Sequence, residues 1–391
     1  MNTYTLLIIL CGLVIFSYLF DLIARQTRFP SVLLLLLTGI GIRLVIDYLR
    51  FPTVNFLQIL PALGTVGLIL IVLEGALELT YNRTKNKLIF KAFMSALVIL
   101  LATTTAIGFL FHWLTQAAWK TCAINAIPFS IISSAIAIPS VANMDEEKKE
   151  FVIYESSISD ILGIILFYFM LLNKEIGVTS FVFLARDTFL IILVSVLFCL
   201  LLLFIIGRIR HQIKFFLVIS IVILVYSAGR LLNLPSLLIV LAFGLFLGNA
   251  EQIRIPLFRK TFLYGDFRND LNQLFRLSSE SAFLVRTFFF ALFGFIMDLD
   301  SLKEPENLIE GLMILVIIYL IRAFYLKFLG KIKLLPELFL SPRGLISILL
   351  FLYIPEELQL VQVNTGLMFL VILATSLMMS AGLLIFKKKV F

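Results

Sequence analysis

Apolar residues run along this chain in long blocks separated by short polar stretches. Thirteen blocks can be drawn, near 4–24, 30–49, 57–79, 88–114, 121–143, 149–172, 179–207, 212–232, 235–250, 272–298, 307–329, 333–353 and 362–386. About 20 apolar residues in a helix cross the hydrocarbon core of a bilayer. Pro30, Pro61, Pro235 and Pro336 stand at or near block starts, where the first helical turn tolerates a missing N–H. The pattern predicts an all-α polytopic membrane protein with about 13 transmembrane helices. Loop 250–271 is basic and aromatic, as expected of a segment lying on the membrane surface.

Composition agrees. Of the 391 residues, 61% are hydrophobic and only 14% are charged, and the mean hydropathy is +1.09. A soluble globular chain does not have these values. The formal charge of +8 does not indicate nucleic acid, because the basic residues sit in short connections between apolar blocks. Counted with the span ends beside them, the odd-numbered connections and the C-terminus hold 22 of the 32 Lys and Arg, and the even-numbered connections hold 5. The positive-inside rule then puts the N-terminus outside and Lys387, Lys388 and Lys389 in the cytoplasm. A bacterial inner membrane is expected. The first block lacks a basic leader and a small-residue cleavage site, so it reads as a retained span. Cys11, Cys122 and Cys199 lie in apolar blocks and read as packing residues, with no disulfide framework or metal spacing.

Thirteen spans divide as six, one and six, so the two halves enter from opposite sides. That is an inverted repeat, and such repeats place a binding site where paired interrupted helices meet near the midplane. The fifth span carries an interruption signal at Ser134-Ala135-Ile136-Ala137-Ile138-Pro139-Ser140, and the twelfth at Leu340-Ser341-Pro342-Arg343-Gly344. A mid-span proline removes a helical hydrogen bond. Either proline alone reads equally well as a kink; the matched positions favour two broken crossing helices.

The sixth span holds Glu155-Ser156-Ser157-Ile158-Ser159-Asp160. Acids inside a membrane are costly and mark function by default. At about 100° per residue, Ser156 and Asp160 share one face and Glu155 and Ser159 another. One face offers oxygens to a small cation; the other can hold a charge partner. By helical rise Glu155 lies roughly 9 Å and Asp160 roughly 16 Å into the span. Arg322 lies roughly 8 Å from the same side, so Glu155 and Arg322 can pair. Arg343 is roughly midway across, where it can offset the C-terminal dipole of a broken helix. Blander readings stay open: Arg322 snorkelling to the interface, Glu155 as a purely structural ion pair, and Asp160 as a protonated packing residue. Glu74 and Glu78 read as interfacial acids or an inner funnel. Asp21, Asp187, Asp298, His112 and His211 read as span-end or interfacial side chains.

These residues resemble a known family, the monovalent cation/proton antiporters of the sodium/proton exchanger superfamily, and within it the prokaryotic electroneutral branch. Glu155-Ser156 through Ser159-Asp160-Ile161-Leu162-Gly163 is similar to the family's Glu-Ser…Asn-Asp…Leu-Gly, and Leu73-Glu74-Gly75-Ala76-Leu77 to its Phe-Glu-Gly-Gly-Leu. Arg322 matches the arginine that pairs with the span-six glutamate, and Pro342-Arg343-Gly344 with Ser347 matches the second broken helix. Phe29-Pro30-Ser31-Val32 with Gly39 and Gly41 fits the second span. The family's first broken helix carries Thr-Asp-Pro; here Ala137-Ile138-Pro139 stands in its place.

The resemblance implies a secondary antiporter exchanging a monovalent cation (Na⁺ first, K⁺ or Li⁺ otherwise) for H⁺, with no cofactor, in a lipid bilayer and as a homodimer. It implies a moving core at 88–172 and 307–386, a scaffold at 1–80 and 212–298, and a linker helix at 179–207. Cation and proton would alternate on Asp160, with Ser156, Ser159, Glu155 and the backbone near Ala137 in support, and with Ser133, Ser134 or Ser140 as further donors. Two other classes remain: a non-transporting sensor or assembly subunit on the same fold, motivated by Ile138, and an intramembrane hydrolase. The hydrolase lacks a histidine at the depth of its serines and any metal-ligand cluster.

Overall fold

The computed structural model describes residues 3–27, 31–48, 59–79, 85–141, 144–173, 196–201, 203–204, 214–231, 236–253, 255–256, 258–259, 267–296, 304–332 and 334–385. Most of the expected linker helix at 179–207 lies outside them. So do Phe29, Pro30, Pro235, Asp187, His211, Asp298 and the C-terminal lysines. Among the described residues the regular structure is helical throughout, with no strand. The α-helices are α1 (Thr3–Thr27), α2 (Ser31–Tyr48), α3 (Ile59–Glu78), α4 (Asn86–Thr115), α5 (Trp119–Ser130), α6 (Ser134–Ser140) and α7 (Glu146–Leu172), followed by α8 (Lys214–Leu231), α9 (Ser236–Gly248), α10 (Phe267–Ile296), α11 (Pro305–Phe324), α12 (Leu345–Leu352) and α13 (Thr365–Ile385).

Seven described segments are long and apolar enough to cross a membrane: Ser31–Tyr48, Asn86–Thr115, Trp119–Ser140, Glu146–Leu172, Phe267–Ile296, Pro305–Leu329 and Thr365–Ile385. Shorter apolar helices lie at Cys11–Ile23, Phe215–Gly229 and Ser236–Gly248. Burial identifies the surroundings. On α11 the residues Leu308, Leu312, Val316, Leu320 and Phe324, four apart, are all exposed. Asn307, Glu310 and Arg322 on the same helix are buried. Water would favour the reverse; hydrocarbon requires polar groups to turn inward.

Helix ends follow local chemistry. Glu146 and Glu147 open α7, where acids meet the positive end of the helix dipole. Pro305 opens α11 at a position whose N–H has no helical acceptor. Gln116 ends α4 in the left-handed region at φ 54°, its N–H returning to His112 O. His112 Nδ1 lies 2.7 Å from Ala117 O, so this ring serves the helix end.

The chain divides into two units, 1–62 with 85–167 and 286–391, and 63–84 with 168–285. In the first, α4 packs along α5, α11 along α4 and α13, and α12 against α5. α2 and α10 approach so closely that a Cβ on Gly39 would strike the Ala291 carbonyl, and one on Gly294 the Leu36 carbonyl. Small residues permit this backbone contact in membrane helices. Arg43 pairs with Asp47 at 3.6 Å and donates to the carbonyls of Phe295 and Ile296 at the end of α10. In the second unit α9 lies against α8 and is buried over most of its length. Asn249 ties the end of α9 to α3 through Leu79 O at 2.8 Å.

Candidate functional site

Two interruptions in the first unit build the site. The first is not where the proline signal put it. Ser134–Ser140, with Pro139 inside, forms the short helix α6; the non-helical residues are 131–133, just before it, with Ile131 and Ser133 extended. Proline sits near the end of α6, where the loss of one N–H, the one that would reach Ala135, is tolerable. The helix breaks earlier because three successive amides find acceptors elsewhere. Ile132 N–H donates to Ser159 Oγ at 3.0 Å. Ser133 N–H donates to Pro342 O at 2.9 Å. Ser134 N–H donates to Asp160 Oδ2 at 3.1 Å. Irregular backbone survives at membrane depth only when its polar groups are satisfied inside the protein, and here α7 and the other break satisfy them.

The second interruption lies within the expected stretch. After a 3₁₀ turn at Glu337–Phe339, residues 340–344 are non-helical, and α12 begins at Leu345. The two breaks cross: Pro342 accepts from Ser133, and a Cβ on Gly344 would collide with the Ser133 hydroxyl. Gly344→Ala is therefore expected to lower stability by about 1–3 kcal/mol through overpacking. Ser133→Gly in the same protein should return part of it in thermal melts.

Asp160 sits at this crossing, 6% exposed. Its Oδ2 rests on the first amide of α6, and its buried Oδ1 has no hydrogen-bond partner among the described residues. Ser156, one turn earlier on the same face, is fully buried and donates to Val152 O at 2.7 Å, which leaves its oxygen lone pairs available. Ser159 is taken up by Ile132. Ala137 is one turn into α6, its amide donating to Ser133 O at 3.0 Å. Ile138 accepts from Val141 N–H, and Ser140 donates to Ile136 O at 2.7 Å. The crossing thus brings Asp160, Ser159, Ser133, Ser134, Pro342 and Gly344 together, while Ile138, Pro139 and Ser140 lie towards the far end of α6.

Glu155 and Arg322 are 1% and 0% exposed. The guanidinium grips the carboxylate with two prongs, Nη2 to Oε2 at 2.8 Å and Nη1 to Oε1 at 3.2 Å. Ser95 on α4 adds a third donor to Oε1 at 2.5 Å, and Arg322 Nε donates to Glu337 O at 2.9 Å. A desolvated pair is tolerable when its remaining groups are bonded in this way. Arg343, also fully buried, donates from Nε to Phe129 O at 2.6 Å and from Nη1 to Ser341 O and Oγ at 2.8 and 2.7 Å. Its backbone N–H meets Thr375 Oγ1 at 3.1 Å. Phe129 O belongs to the last turn of α5, the negative end of that helix dipole.

Sequence reasoning missed Ser95, Thr375, Glu337 and Lys148. Ser95 lies four residues past Lys91 on α4, roughly 6 Å by helical rise and so close to the depth of Arg322, and a depth comparison across α4 finds it. Thr375, Glu337 and Lys148 carry no local signal. Among the described residues no cluster of three or more His, Cys, Asp or Glu forms a metal site, and the cysteines are free thiols.

The model of the transmembrane sodium/hydrogen exchanger family matches residues 8–386. No curated protein matches. The fold is similar to that of the sodium proton antiporter MjNhaP1 from Methanocaldococcus jannaschii at pH 8, with a TM-score of 0.73 and 20% identity over 97% of this chain and 100% of that one. An electron-microscopy structure of the same antiporter gives 0.68 and 20%, over 97% and 95%.

Proposed function

From the premise that this chain belongs to the transmembrane sodium/hydrogen exchanger family, and is thus an integral membrane cation/proton antiporter and not an enzyme, we propose that it exchanges one Na⁺ for one H⁺ at Asp160. The observation that carries this reading is the half-satisfied carboxylate. One oxygen of Asp160 is held by the α6 amide, and the other is buried at the crossing of two broken helices without a partner among the described residues. A bare charge there is costly. A proton or a monovalent cation relieves it, and the same oxygen cannot hold both. Ser156 Oγ, one turn away on that face of α7, serves as side-chain support in this reading.

Occupancy then controls movement. With either ligand the site is neutral and the core bundle, 88–172 and 307–386, moves against the scaffold; with neither, the charge resists the move. Glu155 is held by Arg322, which leaves one carboxylate to exchange and makes the cycle electroneutral. The orientation that goes with this reading has the N-terminus outside and the C-terminus in the cytoplasm of a bacterial inner membrane. The assembly is a homodimer, and the thirteen spans form a six-one-six inverted repeat.

The test uses purified protein in liposomes with a trapped pH dye. Adding Na⁺ to one side is expected to alkalinise or acidify the lumen according to the gradient, unchanged when the membrane potential is clamped. K⁺ and Li⁺ in turn define selectivity. Absence of flux with all three would leave the non-transporting sensor, the reading that Ile138 motivates.

A further inference from the structure

Arg322 must meet Glu155 with both prongs, yet the guanidinium is at the end of a long side chain on a different helix. Its third donor decides where the fork points. Nε–H goes to the backbone carbonyl of Glu337, in the 3₁₀ turn that opens the second interruption. Glu337 is itself anchored. Its side chain is 4% exposed, and Oε1 lies 3.2 Å from Lys148 Nζ. Lys148 stands on α7, seven residues before Glu155, two helical turns away. The contacts therefore close a ring: Lys148 on α7, Glu337, Arg322 on α11, and Glu155 back on α7.

Every other contact of this ring is enclosed. Arg322, Glu155 and Ser95 are all at or below 1% exposure. The Lys148 side chain, 29% exposed, is the one member in reach of water. A buried carboxylate such as that of Glu337 is costly unless paired, so loss of Lys148 releases the turn and with it the carbonyl that aims Arg322. Partners of this kind, one step removed from a site, orient the groups that act there.

We propose that Glu337 is a positioning residue of the transport site: its carboxylate, pinned by Lys148, and its carbonyl, on Arg322 Nε, set the Arg322 fork against Glu155. This rests on the exchange reading above. It goes beyond the Glu155–Arg322 pair by assigning the alignment of that pair to a residue outside α7 and α11.

Two measurements separate alignment from mere stability. In liposomes, Glu337→Gln and Lys148→Met are each expected to raise the KM for Na⁺ by roughly tenfold, with maximal rate within about twofold. The charge-swapped protein, Lys148→Glu with Glu337→Lys, should regain most of the lost affinity. Second, a melting cycle in detergent combines Glu337→Gln with Glu155→Gln, two side chains that do not touch. Alignment through Arg322 predicts that the double variant melts higher than the sum of the single losses by roughly 3 °C or more. Additive losses, or an unchanged KM in both single variants, overturn the proposal. The melting cycle needs no transport. A wild-type protein without cation-driven flux therefore overturns the exchange reading alone, and the cycle still decides the role of Glu337.

Discussion

Asp160→Asn protein in liposomes is expected to carry no Na⁺-driven proton flux above the protein-free background. Asparagine has nearly the shape of aspartate, and its carbonyl oxygen can still accept from Ser134 N–H, so the crossing of α6 with the second break is expected to stay assembled. What disappears is the negative charge. A desolvated cation that loses its counter-charge is destabilised by at least about 3 kcal/mol, which is about a 100-fold loss of affinity. The proton site disappears as well, since an amide does not exchange a proton for a metal ion at neutral pH. Both halves of the cycle fail together. The control is thermal: the variant should melt no more than a few degrees below the wild type, because the contact with Ser134 is kept and the other oxygen of Asp160 makes no hydrogen bond to lose among the described residues. A variant that folds and still transports would remove Asp160 from the mechanism, and with it the claim that one carboxylate serves both ligands.

Much of this arrangement can be read from residue order, and the remainder has a physical reason for being hidden. Helical spans follow from block length alone, because a bilayer leaves few alternatives for a long apolar segment. That Glu155 and Arg322 can meet follows from counting rise inward from Lys149 and Lys327, since a charge at that depth needs a partner. The second break is legible as Pro342-Arg343-Gly344, where proline and glycine both disfavour helix at the place where it is absent. The first break is not legible. Pro139 draws attention to Ser134–Ser140, yet that stretch is helical and the chain opens at 131–133. Nothing in Ile131-Ile132-Ser133 disfavours helix strongly; the helix opens here because Ser159, Pro342 and Asp160 offer acceptors to the amides of Ile132, Ser133 and Ser134. Those acceptors lie far along the chain, and local propensity is silent about them. Lys148 and Glu337 were hidden for the same reason. Each looks like an ordinary charge near a span end until the fold sets them side by side.

The second large effect concerns the buried ion pair. Arg322→Met leaves the Glu155 carboxylate enclosed at 1% exposure with Ser95 as its remaining donor, and the expected loss is about 3–5 kcal/mol of stability. Glu155→Leu leaves the guanidinium without its two charge-assisted bonds, and a similar loss is expected. Replacing both removes two desolvated charges and fills the space with apolar atoms, so the double variant Glu155→Leu with Arg322→Met is expected to melt above either single one. Transport then separates the two roles left open for Glu155. If the glutamate serves only to hold α7 against α11, the double variant exchanges Na⁺ for H⁺ with a raised KM, because Asp160 remains and only its surroundings are less well aligned. If Glu155 ligates the cation itself, flux is lost although the fold is restored. The two-pronged grip on both carboxylate oxygens, with Ser95 on one of them, leaves Glu155 little capacity for a cation. The expected result is therefore exchange that survives at reduced affinity. A double variant as unstable as the single ones would show that Ser95 and the Glu337 carbonyl, left without partners, cost as much as the pair itself, and the ring of contacts would then be a stability element first.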